Sequence, residues 1–209
     1  RRKMTSLVVP EVAPESSLSS APISAMRRKR IAEMIIRAGK MKWAAEKASR
    51  PNLLAPVSPS PDDVLIAGWN MLGGVCDSDR VYDLGCGDGR WLLHAARVQT
   101  KCVCCGIDIS DSHLAKARAE ASRLEFSHRV MFVKHDLNGG LPSGIELATV
   151  IILYMFSDGM KMLGDHLLAV GLRPGTKILC ISFPLDPGTW TPTAQTRVGE
   201  RTLYLYTTL

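Results

Sequence analysis

No apolar run in these 209 residues approaches the roughly 20 needed to cross a bilayer, so the sequence offers no transmembrane segment. Its six cysteines do not fall in pairs at extracellular disulfide spacing, and three of them, Cys102, Cys104 and Cys105, crowd one apparent strand. That usage suits free thiols in a reducing compartment. A Cys-x-Cys-Cys metal site would need a histidine or a further cysteine pair at ligand spacing, and none is present. These thiols therefore read as small buried side chains, and no metal is expected. The five histidines, His94, His113, His128, His135 and His166, are scattered. None stands beside a serine or cysteine with a third group to orient it, which removes a hydrolase triad. Only His135 lies near the ligand site inferred below, and it is expected to be structural.

Acid is scarce in one region. Residues 1–60 hold 12 Lys and Arg against 4 Asp and Glu, whereas residues 61–209 hold 14 against 16. The basic excess therefore belongs to the N-terminal extension, and a polyanion such as RNA would be met through residues 1–50. Residues 1–25 carry Arg1, Arg2 and Lys3 followed by Ser, Pro and small residues. They are expected to form a flexible tail or the remnant of a mitochondrial transit peptide, although Glu11 and Glu15 count against the latter. Residues 26–50 are expected to form a basic amphipathic helix with Ser24 as N-cap. Ile31, Met34, Ile35, Ala38, Met41, Ala45 and Ala48 share its apolar side, and Arg50-Pro51 stops it. Three uses of that helix stay open: packing on the body, contact with RNA, or contact with an anionic membrane surface. Residues 51–61, PNLLAPVSPSP, read as a proline-punctuated linker.

Residues 62–209 alternate helical and extended patterns, which predicts a parallel sheet covered on both faces. Strands are expected at 80–84, 101–107, 130–135, 148–155 and 176–183, with helices at 62–72, 90–98, 110–125 and 158–170. Two further extended runs, 194–198 and 202–208, flank Gly199-Glu200 and suit an antiparallel hairpin.

The most informative stretch is VYDLGCGDGR, residues 81–90, with bare backbone at Gly85, Gly87 and Gly89 and carboxylates at Asp83 and Asp88. A P-loop needs Lys and Ser or Thr after its glycines, and the dinucleotide fingerprint needs a third glycine where Arg90 stands. Acids inside the loop also disfavour a phosphate. A phosphate-free, positively charged ligand fits better, and S-adenosylmethionine has both properties.

VYDLGCGDGR resembles the first motif of class I S-adenosylmethionine-dependent methyltransferases. The stretches GIDIS, VMFVKHDL, VIILYMF, LRPGTKILCISFPLDPGTWTPT and LYLYTTL extend the resemblance to the lysine methyltransferases of the mitochondrial ATP synthase c-subunit and adenine nucleotide translocase, and to their small bacterial relatives. The resemblance implies an α/β, Rossmann-like, seven-stranded sheet, mostly parallel with an antiparallel C-terminal hairpin; the basic helical extension read above precedes it. It also implies S-adenosyl-L-methionine as cofactor, bound by Gly85, Cys86, Gly87, Asp88 and Gly89. Asp83 and Gly85 would serve the methionine amino group, Asp108 the ribose, Ile109 the adenine face, and Asp136 with the Leu137 backbone the adenine edge.

Each acid also has a plainer role open to it. Asp108 and Asp136 stand at expected strand ends, where aspartates often form turns or caps, and Asp88 could cap the helix after Gly89. Arg90 is expected to pair with a surface or linker acid. After the fourth strand stands Tyr154-Met155-Phe156 in place of the Asn/Asp-Pro-Pro-aromatic motif of enzymes that methylate base amino groups, and no Pro-Cys nucleophile is present. Amine methylation needs deprotonation and alignment rather than covalent machinery. Tyr154 is the catalytic candidate, and Phe156, Phe183 and Trp190 could face the cationic amine; all four could equally be core or loop anchors. Two function classes follow. One is a mitochondrial protein-lysine methyltransferase. The other keeps a methyltransferase body as a structural or assembly subunit of a mitochondrial ribosome or other ribonucleoprotein, with rRNA methylation as a further possibility.

Overall fold

The structure is a computed structural model that describes residues 25–51, 53–55 and 58–209. The expected tail of residues 1–24 and the Ser24 cap lie outside the described residues. Helix α1 spans Ala25–Ser49. Its Ala, Met, Lys and Arg content favours a helix, and Lys47 in the last turn complements the negative end of the helix dipole. Met34 and Met41 of the expected apolar side are 70% and 66% exposed. The side chains of Ile31 and Ile35 lie outside the described residues.

The body contains α2 (Asp62–Met71), β1 (Arg80–Leu84), α3 (Arg90–Val98), β2 (Val103–Asp108), α4 (Asp111–Arg123), β3 (Val130–Lys134), β4 (Val150–Leu153), α5 (Ser157–Val170), β5 (Lys177–Ile181), β6 (Ala194–Val198) and β7 (Arg201–Thr207). The strands form one seven-stranded sheet in the order β3-β2-β1-β4-β5-β7-β6. The first five are parallel, and β7 joins β5 antiparallel, with β6 at the edge.

Strands buried on both faces read as continuous apolar runs, and β4, Val-Ile-Ile-Leu, is buried at all four positions. Alternate side chains then serve two cores. Val81, Ile152, Leu179 and Ile181 join Trp69, Trp91, Leu92 and Leu114 on one face. Leu84, Ile151, Leu153 and Ile178 join Met160, Leu163, Leu167 and Tyr206 on the other. Cys102, Cys104 and Cys105 are free and buried, as their crowding led us to expect, although Cys102 precedes the strand.

Several expected strands are longer than the observed ones. The 148–155 run shrinks to Val150–Leu153, because a 3-10 turn at Ile145–Leu147 precedes Ala148 and the chain leaves the ladder at Tyr154. The 176–183 run stops at Ile181, where Ser182 turns the backbone into the left-handed region, with φ of 69°. Between β1 and β4 the strand order reverses. In open parallel sheets that reversal opens a crevice beyond the strands' carboxyl ends, where ligands bind.

Candidate active site

At the end of β1 the chain bends sharply. Gly85 and Cys86 both donate backbone N–H groups to the Ile107 carbonyl, at 2.8 and 2.9 Å. Gly85, Gly87 and Gly89 have φ of 89°, 52° and 76°, which side chains resist. Their surroundings differ. A Cβ on Gly87 would meet nothing within 4 Å, whereas one on Gly89 would lie 2.7 Å from the Phe132 ring and 3.3 Å from Ala117. Gly87 therefore opens onto free space. Gly89 does not line the cavity; it lets α3 pack tightly against β3 and α4.

A cavity of about 330 Å³ lies beyond this bend, within the size range of small-molecule sites. Asp83, Gly85, Cys86, Gly87, Asp88, Asp108, Ile109, Asp136, Leu137 and Tyr154 all line it. The sheet thus gathers the expected cofactor residues except Gly89, and Tyr154 with them. Asp108 is anchored twice: Oδ2 accepts from the Gly87 N–H at 2.9 Å and Oδ1 from the Ser110 N–H at 2.8 Å. His113 Nδ1 stands 3.7 Å from the same carboxylate. Asp136 caps the 3-10 turn Leu137–Gly139, accepting from the Asn138 N–H at 3.0 Å. Asp88 lines the cavity and accepts from the Arg90 N–H at 3.3 Å, but the N-cap position of α3 is Gly89, so Asp88 stands one residue before the cap it was expected to fill. Arg90 behaves as expected, pairing with Asp88 at 3.2 Å and reaching Asp62 at 4.0 Å; it also donates to the Ser60 carbonyl.

Asp83 is the electrostatic focus. It is 4% exposed, and its Oδ2 has no hydrogen-bond partner among the described residues. Burial, with the charges of Asp108 and Asp88 adding to it, pushes its carboxyl up to about 8. A buried acid lacking a partner costs stability unless a ligand satisfies it. Burial also pushes the Cys86 thiol up, helped by Asp83 and Asp108, so it stays neutral and is no nucleophile.

The segment read as a linker contributes a wall. Leu53, Leu54, Ala55, Ser58, Pro59 and Ser60 line the cavity, joined by Glu46 and Arg50. Ser60 is buried, and its hydroxyl accepts from Trp91 Nε1 at 3.0 Å. Proline punctuation shows that a segment is extended and not helical, but it carries no signal of where the segment packs. His113 and Lys116 line the cavity together with His135, so His135 is not the only histidine there. His113 is the third residue of α4, five residues after Asp108 at the end of β2, and no sequence periodicity links the two.

On the opposite side, Tyr154 Oη accepts from Arg201 Nε at 3.2 Å. Phe156 and Phe183 do not line the cavity; they pack edge to face with centroids 5.6 Å apart. Trp190 packs against Tyr206 and beside Gly164 of α5, a loop anchor rather than a cavity wall.

The family described as the ANTKMT methyltransferase domain matches residues 83–194, from the buried acid of β1 to the start of β6. The chain belongs to this family. A protein-lysine N-methyltransferase of Saccharolobus islandicus (strain REY15A) is 29% identical over 155 residues, spanning 72% of this chain and 92% of that protein. An RNA methyltransferase from Salinibacter ruber, solved with S-adenosyl-L-homocysteine, is 31% identical. It covers 72% of this chain and 93% of its own, with a TM-score of 0.64. TrmN from Thermus thermophilus, 18% identical, covers 70% of this chain and 48% of its own at a TM-score of 0.55, and shares the fold.

This ANTKMT-family chain is an S-adenosylmethionine-dependent methyltransferase. The cavity fits the cofactor on its own terms: the unpartnered Asp83 oxygen suits an ammonium, the space over Gly87 admits a ligand close to backbone, and Asp108 can accept from hydroxyls.

Proposed function

We propose that the chain methylates lysine side chains of proteins, and that it does so in the mitochondrion. The observation that carries the lysine reading is Tyr154, which lines the cavity at the end of β4 where base-amino methyltransferases carry Asn/Asp-Pro-Pro-aromatic. The protein-lysine activity by which the Saccharolobus relative is named supports it. So does residues 61–209 holding 14 Lys and Arg against 16 Asp and Glu, a weak field for nucleic acid. The mitochondrial part rests on the Arg- and Ser-bearing composition of residues 1–25 and on the resemblance described above.

When bound, the cofactor supplies an electrophilic methyl group. The chain's own residues bind, orient and exclude water. Asp83 offers its unmet oxygen to an ammonium, Asp108 offers acceptor sites to hydroxyls, and Ile109, Leu137 and Leu53 give the cavity apolar walls. Tyr154, just after β4, brings a phenol to the cavity wall where the incoming amine would meet it. Alignment of that amine supplies much of the rate.

Incubation of the protein and radiolabelled S-adenosylmethionine with a mitochondrial extract tests the reading. Label on protein, located on lysine by peptide mass spectrometry, is expected. Label that ribonuclease removes would overturn it in favour of RNA, a reading favoured by the name of the Salinibacter relative.

A further inference from the structure

We propose that Tyr154 and Arg201 form a proton-accepting pair at the acceptor side of the cavity: Tyr154 Oη takes a proton from the incoming lysine ammonium, and Arg201 is the positioning residue that holds this oxygen. The inference rests on the lysine reading and extends it to a residue, Arg201, that lies outside the family match at residues 83–194.

Three parts of the fold converge on Tyr154. Arg201 opens β7, which runs antiparallel beside β5 with Leu203 opposite Ile181. The first residue of β7 is thereby carried to the strand ends where the cavity opens. Its Nε donates to Tyr154 Oη at 3.2 Å. Ser182 is held by its own N–H to the Thr202 carbonyl at 2.8 Å and turned by a φ of 69°. Ser182 thus stands beside Tyr154, and Ser58 lines the same cavity as Tyr154.

A guanidinium is a permanent donor, so at this contact the phenol oxygen must accept, and a donor aimed at that oxygen favours the phenolate. Burial pushes the Tyr154 phenol up, but the Arg201 hydrogen bond, the donor hydroxyls of Ser58 and Ser182 nearby and the charge of Arg201 outweigh it and leave the phenol below its ordinary value. The other charged or titratable groups lining the space are Glu46 and Arg50, Asp83 on β1, Cys86 and Asp88 in the bend, Arg90 on α3, Asp108 on β2, His113 and Lys116 on α4, and His135 and Asp136 after β3.

The chemistry needs such a group. A lysine side chain has a pKa of about 10.4 and enters as an ammonium without a lone pair. One N–H bond breaks, its electron pair stays on nitrogen, and the proton forms the O–H bond of Tyr154. Ammonium and phenolate become amine and phenol, while Arg201 keeps its charge. That charge also disfavours a second cation beside it, which pushes the amine the same way.

The test combines titration with rate. Phenolate absorbance is followed against pH for wild type, Tyr154→Phe, Arg201→Gln and Arg201→Lys, and the wild-type minus Tyr154→Phe difference isolates one of four tyrosines. Methyl transfer to poly-L-lysine is measured across the same range, and S-adenosylhomocysteine binding by calorimetry. Arg201→Gln should move the Tyr154 transition upward and lower transfer at neutral pH by about tenfold, with recovery as pH rises, Arg201→Lys restoring part, and ligand affinity held within about twofold. A transition that Arg201→Gln leaves in place, or one that moves without altering the rate profile, overturns the proposal. If the transition moves but wild type transfers nothing to poly-L-lysine, the lysine reading falls and the proton-accepting role falls with it.

Discussion

Gly87 donates its backbone N–H to Asp108 Oδ2 at 2.9 Å, so a residue suited to a ribose also pins the glycine bend in place. The other oxygen is held by the Ser110 N–H at 2.8 Å. A carboxylate has about four acceptor sites, which leaves room for ligand hydroxyls after both contacts. Binding and local order are therefore linked through one side chain.

For Asp108→Ala we expect weaker S-adenosylmethionine binding, by about 1–3 kcal/mol in calorimetry, because hydrogen bonds to a charged group are lost. Its melting temperature should fall even without ligand, since the Gly87 and Ser110 donors lose their acceptor. Wild-type affinity in this variant would refute the assignment.

Asp83 links stability to pH. In the folded chain the carboxyl keeps its proton up to about pH 8, against a reference value of 3.8, so across that window the folded state binds more protons than the unfolded one. Stability from this group is present in full below about 3.8 and is lost as pH rises towards 8. Asp83→Asn has no such proton to lose. Without ligand it should melt above wild type at pH 8, and the two curves should converge near pH 4. Cofactor binding to wild type at pH 7 should release a proton, read as dependence of calorimetric heat on buffer ionisation enthalpy, and this should vanish in Asp83→Asn. Equal melting curves at all pH values would contradict the buried, unpaired acid.

The glycines should separate by function. Gly89→Ala places a methyl 2.7 Å from the Phe132 ring, and such overpacking costs about 1–3 kcal/mol of stability. Gly87→Ala has free space, so its penalty is the positive φ, about 1 kcal/mol, together with loss of close ligand approach. Thermal melting should single out Gly89→Ala, and cofactor titration Gly87→Ala. The reverse pattern would mean that the two have been placed wrongly.

Ser60→Ala leaves the buried Trp91 indole N–H without its acceptor, a loss of about 1–3 kcal/mol. Because the same segment walls the cavity, the variant should also be cleaved faster by chymotrypsin after Leu53 or Leu54, and S-adenosylhomocysteine should slow that cleavage. Cleavage indifferent to both would separate the segment from the site.

The order of helices and strands, the sheet they build and the cofactor loop were legible in the residues. Two-sided apolar runs such as Val150–Leu153 and the glycine bend after Leu84 are local signals, because strand period and positive φ depend only on neighbouring residues. Asp83, Asp108 and Asp136 could be placed at strand ends for the same reason. What the residues alone could not decide was which distant segments meet. PNLLAPVSPSP carries no sign that it walls a cavity, Arg201 none that it reaches Tyr154, and Gly89 looks like its fellow glycines although it faces Phe132. These relations arise from the crossover of strand order and the antiparallel return of β7, which join residues far apart in the chain. Local propensity does not encode such distances, and only packing of the whole sheet fixes them.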